Sequence, residues 1–217
     1  MSNYKYLYYN DKKILFIHIP RTAGTSIYKS FKLNRIEKHS TINYLQHRHG
    51  VNIDDYWIIG SVRNPWKRLF SLYNYTKLCK FHTLNWKRWL FYSSNITSLS
   101  HNQGSFPICK TVGFYRDVLN KNSLKQVNYF LDKEGNVAVD EIIQLENIEN
   151  DVIKSKSLGN EIGVALATHY AGPGVGESHS WRFEKDWRNI YDSEDIEYVR
   201  EISEWEINKF NYTFEEI

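Results

Sequence analysis

The chain has 217 residues, with 28 Lys and Arg against 25 Asp and Glu, so its formal net charge is +3 at pH 7. Hydrophobic residues make up 41% and charged residues 24%, which is typical of a globular protein and excludes a disordered or fibrous one. A charge of +3 over this length does not predict binding to nucleic acid. Any positive charge that a ligand needs must therefore come from a few well-placed residues.

The length suits one domain, and we expect residues 1–217 to form a single one. No stretch reaches the roughly 18 consecutive apolar residues of a membrane-spanning helix. The N-terminal residues lack the pattern of a signal peptide, so we expect a cytoplasmic protein without a membrane span. The two cysteines, Cys79 and Cys109, form neither a disulfide framework nor a metal-binding spacing.

Strand and helix patterns alternate along the chain. Strands are predicted at 4–9 and 14–19 around a polar turn, then at 56–62 and 141–146. Helices are predicted at 27–31, 65–80, 147–158 and 193–210, the second of them with Asn64 as N-cap and Pro65 at its first position. This alternation predicts an α/β fold in which helices flank a central parallel sheet.

The first turn after a predicted buried strand runs from Arg21 to Ser26. Unpaired backbone N–H groups in such a turn can cradle a phosphate or sulfate. Gly24 allows close backbone approach, Thr25 and Ser26 add hydroxyl donors, and Arg21 adds positive charge. The alternative is a plain turn whose hydroxyls cap the next helix.

The second turn supplies Arg63, whose guanidinium offers a two-pronged fork to a phosphate, and Ser71 on the following helix adds one more donor. The alternative is an Arg63 that pairs with a carboxylate. No Walker A pattern is present, because no Lys directly precedes Thr25 or Ser26. This disfavours a magnesium–nucleotide site.

Both turns resemble known motifs. Residues 18–26, HIPRTAGTS, resemble the 5′-phosphosulfate loop of sulfotransferases, H-[IV]-P-K-T-G-G-T-S. Residues 61–73, SVRNPWKRLFSLY, are similar to their 3′-phosphate motif, V-R-N-P-x-x-R-x-x-S-x-Y, and 140–151 resemble a strand-plus-helix segment of the same family. The resemblance is closest to the carbohydrate sulfotransferases of heparan and chondroitin type and their small bacterial or phage relatives. Arg21 replaces the usual Lys, and Ala23 replaces a Gly, a change that the loop tolerates if φ at Ala23 is negative.

The resemblance implies a P-loop-like three-layer fold with an irregular helical lid, and a reaction that needs no metal. The donor would be 3′-phosphoadenosine 5′-phosphosulfate (PAPS), and adenosine 3′,5′-bisphosphate (PAP) the product. Arg21 would stabilise the leaving phosphate. The residues that would bind the donor are Arg21, Thr22, Ala23, Gly24, Thr25, Ser26, Arg63 and Ser71.

His39 is the candidate catalytic base, because related enzymes place a His or Glu between the two motifs. An imidazole with an ordinary pKa of about 6.5 accepts protons well at neutral pH. The alternative is an exposed loop histidine. His47 and His49 form a His-x-His pair, which without further ligands is weak evidence for metal.

The acceptor is left more open. Segment 81–130 is rich in aromatic and basic residues, which suits a wall for a saccharide hydroxyl acceptor, although such rings also fit the core of a lid. Small phenols, lipids and peptide tyrosines are the alternative acceptors. The Gly-rich segment 169–182 corresponds to a loop that covers the nucleotide in the family. Two alternatives to a sulfotransferase are a P-loop nucleotide kinase and a non-catalytic nucleotide-binding protein.

Overall fold

The computed structural model describes residues 7–31, 33, 36, 39–78, 83–95, 124–159 and 186–215. Contacts divide the chain into two compact units. The first contains Met1–Asn64 and Tyr129–Ser178, and the second contains Pro65–Asn128 and His179–Ile217. The single domain predicted over 1–217 stays a prediction.

The strands lie in the first unit. They are β1 (Tyr8–Tyr9), β2 (Lys12–Ile17), β3 (Tyr56–Val62) and β4 (Glu141–Gln144), and they form one four-stranded sheet in the order β1-β2-β3-β4. β2, β3 and β4 are parallel, whereas β1 pairs with β2 in the antiparallel sense. The predicted α/β class is therefore confirmed, with a mixed sheet instead of a wholly parallel one.

The strand ends differ from the predicted ones where pairing decides them. β3 has the predicted bounds. β2 ends at Ile17, two residues before the predicted end at 19, because its last pair with β3 is Ile17 with Gly60. The turn before β2 places Asn10 at φ 48° and Asp11 at φ 63°, which is the left-handed pair that a two-residue hairpin favours.

Seven α-helices are described. In chain order they are α1 (Gly24–Ser30), α2 (Ile42–His49), α3 (Pro65–Leu78), α4 (Trp86–Asn95), α5 (Ile148–Lys154), α6 (Ser193–Ile202) and α7 (Glu204–Phe210). Short 3₁₀ helices lie at Ile53–Asp55, Val127–Tyr129, Leu145–Asn147 and Trp187–Ile190. The predicted helix start at Pro65 is confirmed, and α2 is an addition that the sequence did not predict.

Two predicted helices are shorter or divided. The one expected at 147–158 consists of the 3₁₀ turn Leu145–Asn147 and α5. The one expected at 193–210 is divided into α6 and α7 at Ser203, whose φ of −118° and ψ of 24° are not helical. Local backbone geometry at Ser203 thus ends a helix that the apolar spacing alone would continue.

The core of the first unit is aliphatic, with a few rings. Its buried members come from the sheet, from α1 and α5, and from the residues that follow these two helices: Ile14, Phe16, Ile27, Phe31, Leu33, Ile59, Ile143, Ile148, Val152 and Leu158. Phe130 is also fully buried and lies against the middle of β3, where a Cβ on Gly60 would be 2.1 Å from its Cε1 atom. Gly60 is therefore required by close packing, in a strand whose other residues, apart from Ser61, are apolar or aromatic.

We expect Gly60→Ala to lower the free energy of unfolding by at least about 1 kcal/mol, because the added methyl overlaps the Phe130 ring. Urea unfolding measures the loss. The matched control is the double variant Gly60→Ala with Phe130→Leu, where the smaller side chain leaves room for the methyl. A double variant whose loss equals the sum of the two single losses would contradict the proposed overlap.

The second unit has an aromatic core. Trp66, Tyr73, Trp86, Trp89 and Tyr191 are buried there, and the indoles of Trp86 and Trp89 are stacked at 5.6 Å. Polar edges of these rings bond to backbone: the Tyr191 hydroxyl donates to the Trp66 carbonyl at 2.7 Å, and the Trp66 indole donates to Ile196 at 3.2 Å. Much of the high aromatic content is thus structural.

Two buried charged residues also belong to this core. Arg68 Nη1 donates to the Leu124 carbonyl at 2.7 Å, and Glu206 Oε1 accepts from the Val127 N–H at 2.9 Å. Burial raises the pKa of Glu206. Arg68 matches the second Arg of the motif that residues 61–73 resemble, and its exposed fraction of 1% places it in the interior of the second unit.

Candidate functional site

The two turns predicted to bind anions follow neighbouring parallel strands. The chain leaves β2 after Ile17 and β3 after Val62, so both turns lie at the carboxyl edge of the sheet. This is the edge where α/β folds bind ligands. Arg63 Nη1 donates to the Arg21 carbonyl at 3.4 Å, which is a long hydrogen bond. The structure therefore brings the two turns into contact.

The loop from Arg21 to Gly24 has an unusual backbone. Arg21 has φ 71° and Ala23 has φ 60°, both in the left-handed region. The N–H groups of Ser26 and Ile27 both donate to the Ala23 carbonyl, at 2.9 and 3.2 Å, and α1 follows from there. Alternating left-handed residues orient successive N–H groups to one side, which is a common way to bind an anion.

The condition set for Ala23, a negative φ, is not met. A side chain in the left-handed region is strained, because its Cβ approaches the following carbonyl oxygen. A Gly, which the similar sulfotransferase motif has in place of Ala23, adopts that backbone without the strain. Ala23 therefore keeps the loop shape at a cost in stability.

We expect Ala23→Gly to raise the free energy of unfolding by about 0.5–1 kcal/mol, since relief of strain exceeds the extra entropy of the unfolded chain. Chemical denaturation measures the gain. Ala138→Gly is the matched control, because Ala138 is not among the residues with positive φ and should lose stability instead. An Ala23→Gly variant less stable than wild type would contradict the strained backbone.

The remaining residues of the loop differ in exposure. Thr22 and Gly24 are buried, Ser26 is half-buried, and Thr25 is exposed. The Thr22 hydroxyl donates to the Ile19 carbonyl at 2.8 Å, so its proton is engaged within the loop. The hydroxyl proton of Thr22 is therefore not available to a ligand.

His39 lies beside this loop. Its Nδ1 atom is 3.0 Å from the His18 carbonyl, and the two imidazole rings are 4.2 Å apart. Because a carbonyl only accepts, Nδ1 carries the proton in the neutral ring and Nε2 carries the lone pair. The His18 ring is buried against the loop: a Cβ on Gly24 would be 2.0 Å from its Cδ2 atom. His39 and Gly24 therefore both lie beside the buried His18 ring.

Of the predicted site residues, only Ser71 belongs to the second unit. It lies on α3 and is 6% exposed, and its role toward a phosphate stays a prediction. Sequence reasoning gave no role to Glu146, whose Oε1 accepts from the Asn64 N–H at 3.0 Å, directly after Arg63. Ser61, whose hydroxyl oxygen is 2.7 Å from that of Thr22 in the loop, was also given no role, although a small polar residue inside an apolar strand was a signal for it.

The aromatic segment 81–130 is described at 83–95 and 124–130. Trp86 and Trp89 are buried in the core of the second unit, and Tyr129 and Phe130 are buried in the first. These four rings pack inside the protein and do not form an acceptor wall. Residues 81–82 and 96–123 of the predicted wall, and the predicted loop 169–182, lie outside the described residues.

A cavity of about 330 Å³ lies beside β4 and α5. Its lining includes Trp57 and several charged residues, but no residue of the loop, and neither His39 nor Arg63. Two carboxylates there accept hydrogen bonds from the backbone: Asp140 from the Ile58 N–H at 2.7 Å, and Asp151 from the Gln144 N–H at 2.8 Å. This cavity is separate from the candidate site.

No family model, curated protein or solved structure matches this chain. Within the described ranges, no helix combines the length and apolar character needed to cross a membrane. In the same part of the chain, no three His, Cys, Asp or Glu side chains gather into a metal-binding group. The functional argument therefore depends on the geometry of the two turns and on the motifs they contain.

Proposed function

We propose that this protein is a PAPS-dependent sulfotransferase with a P-loop-like three-layer fold, and that its acceptor is a saccharide hydroxyl. One observation carries the proposal. The turns with Arg21 and Arg63 follow adjacent parallel strands and contact each other through the hydrogen bond from Arg63 to the Arg21 carbonyl. A nucleotide with phosphate groups at both its 5′ and 3′ positions suits two neighbouring anion-binding turns.

The residues present fit such a donor. The left-handed positions Arg21 and Ala23 turn backbone N–H groups of the loop toward a common side, where a 5′-phosphosulfate could accept from them. Arg21 adds a permanent charge that stabilises negative charge but, unlike Lys, does not give up a proton. Arg63 provides the fork for the 3′-phosphate, with Ser71 as the expected further donor.

The donor, when bound, supplies an activated sulfonyl group for transfer to an acceptor oxygen. In this proposal His39 takes the proton of that acceptor. The hydrogen bond from Nδ1 to the His18 carbonyl holds the neutral ring in the form whose Nε2 is basic. The contact between the His18 ring and Gly24 fixes this base relative to the loop that would hold the reacting end of the donor.

A thermal-shift comparison tests the class of the protein. We expect PAP to raise the melting temperature more than ATP with Mg²⁺, because only PAP carries the 3′-phosphate that the Arg63 turn would bind. A ligand at 100 times its dissociation constant adds about 2.7 kcal/mol to stability. Adenosine 5′-monophosphate (AMP) is the control that lacks the 3′-phosphate. Stabilisation by ATP with Mg²⁺ and none by PAP would instead favour a P-loop kinase.

A screen with labelled PAPS then tests the reaction and the acceptor. Glycans, phenols, lipids and tyrosine peptides are offered in parallel, and we expect transfer to a glycan. Transfer to another class would correct the acceptor and keep the reaction. PAP binding without transfer to any acceptor, and without slow hydrolysis of the donor, would identify a non-catalytic nucleotide-binding protein.

A further inference from the structure

Two buried hydroxyl groups connect the candidate loop to β3. The oxygen atoms of Thr22 and Ser61 are 2.7 Å apart, and both residues are 0% exposed. A hydroxyl has a single proton, and that of Thr22 goes to the Ile19 carbonyl at 2.8 Å. Ser61 therefore donates and Thr22 accepts. The single proton of each hydroxyl thus determines which of the two residues donates.

The Thr22–Ser61 hydrogen bond lies just beyond the end of the pairing between β2 and β3. The pairing of β2 with β3 ends at Ile17 and Gly60, whereas β3 pairs with β4 from Ile59 to Val62, so at Ser61 β3 is paired with β4 alone. The Thr22–Ser61 bond thus joins the segment after β2 to β3, beyond the last backbone pair between these two strands. The bond between Arg63 and the Arg21 carbonyl also joins the turns, but at 3.4 Å it is much longer.

We propose that Thr22 and Ser61 are positioning residues that set the distance between the two anion-binding turns, and thereby the preference for a nucleotide phosphorylated at both its 5′ and 3′ positions. This inference rests on the proposed function. Thr22 lies between Arg21 and Ala23, and Ser61 lies two residues before Arg63, so the bond joins the two turns close to their charged residues. A ligand that engages both turns depends on their separation, whereas a 5′-monophosphate engages only one.

The test compares dissociation constants for PAP and AMP by calorimetry. In Ser61→Ala and in Thr22→Val, we expect PAP affinity to fall by about 3- to 10-fold, the scale of one hydrogen bond, with AMP affinity changed by less than about 2-fold. Thr22→Ser keeps the hydroxyl and should retain the wild-type ratio. The double variant should lose no more than either single variant, because both remove the same bond.

Thr76→Val is a matched control, since Thr76 is also fully buried but its hydroxyl donates to carbonyls of its own helix, at Leu72 and Tyr73. It should lower stability without changing the PAP-to-AMP ratio. Hydrogen exchange provides a readout without ligand: amides of residues 22–26 should exchange faster in Ser61→Ala than in wild type. If either Ser61→Ala or Thr22→Val folds poorly, hydrogen exchange in the other variant still reports on the bond.

The outcomes separate the two proposals. A wild-type protein that binds PAP no better than AMP would overturn the proposed function and this inference with it. A wild-type preference for PAP that persists unchanged in Ser61→Ala and Thr22→Val would overturn the positioning role alone. A shared fall in PAP and AMP affinity would show that the hydroxyl pair maintains the loop itself and not its distance from Arg63.

Discussion

Replacing His39 with Ala is expected to lower kcat by about 10²–10⁴, the usual contribution of a general base. Nε2 of the neutral ring is basic because Nδ1 donates to the His18 carbonyl, 3.0 Å away. The variant should still bind PAP, since none of the predicted phosphate contacts involves His39. Steady-state transfer of label from PAPS, together with calorimetry of PAP, separates the two effects.

Backbone strain must be kept apart from loss of the base in this experiment. His39 has φ 66°, where Ala is disfavoured and Asn is tolerated. His39→Asn therefore removes the imidazole while suiting the backbone, and it should lose as much activity as His39→Ala. His47→Ala on the exposed surface of α2 is the matched histidine control. Unchanged turnover in His39→Asn would remove His39 from the mechanism.

The elements that the sequence predicted well are those decided by neighbouring residues. The apolar run of β3 and the Asn64–Pro65 helix start depend on local composition, and the structure has both at the predicted positions. That both turns lie at the carboxyl edge of the sheet was also predictable, because parallel strands present their carboxyl ends at one edge, whereas their contact depends on the pairing of β2 with β3. For the shared edge, general rules of chain geometry were sufficient.

Features that depend on distant contacts were not predictable. The end of β2 at Ile17 depends on where β3 stops pairing with it. The left-handed φ at Ala23 goes against the preference of the residue, so only the surrounding loop can impose it. The bond between Thr22 and Ser61 joins residues 39 positions apart, and a spacing pattern contains no information about it.

The same distinction explains the outcome for the aromatic residues. Composition alone left the rings as either core or ligand wall. In the described ranges, burial assigns Trp86 and Trp89 to a core, with the Trp86 indole donating to Asp195 at 2.9 Å. Desolvation raises the pKa of that Asp195 carboxyl, which accepts the indole hydrogen bond beside it. Such satisfied polar edges are what buried Trp residues require.

Arg63→Ala is expected to weaken PAP binding by about 1.5–3 kcal/mol, which is roughly 10- to 150-fold in dissociation constant, because charge-assisted hydrogen bonds to the 3′-phosphate are lost. AMP has no 3′-phosphate, so its affinity should change far less. Arg63→Lys keeps the charge without the planar fork and should fall between wild type and Arg63→Ala. Calorimetry at a single, stated salt concentration measures all three.

The exposed Arg48 on α2 offers a matched control, since Arg48→Ala removes the same charge away from the two turns. Comparable losses in Arg48→Ala and Arg63→Ala would indicate a general effect of net charge. A wild-type PAP affinity in Arg63→Ala would show that the 3′-phosphate binds elsewhere. A large loss for PAP alone would instead place the 3′-phosphate at Arg63, because only the ligand that carries this group would lose affinity there.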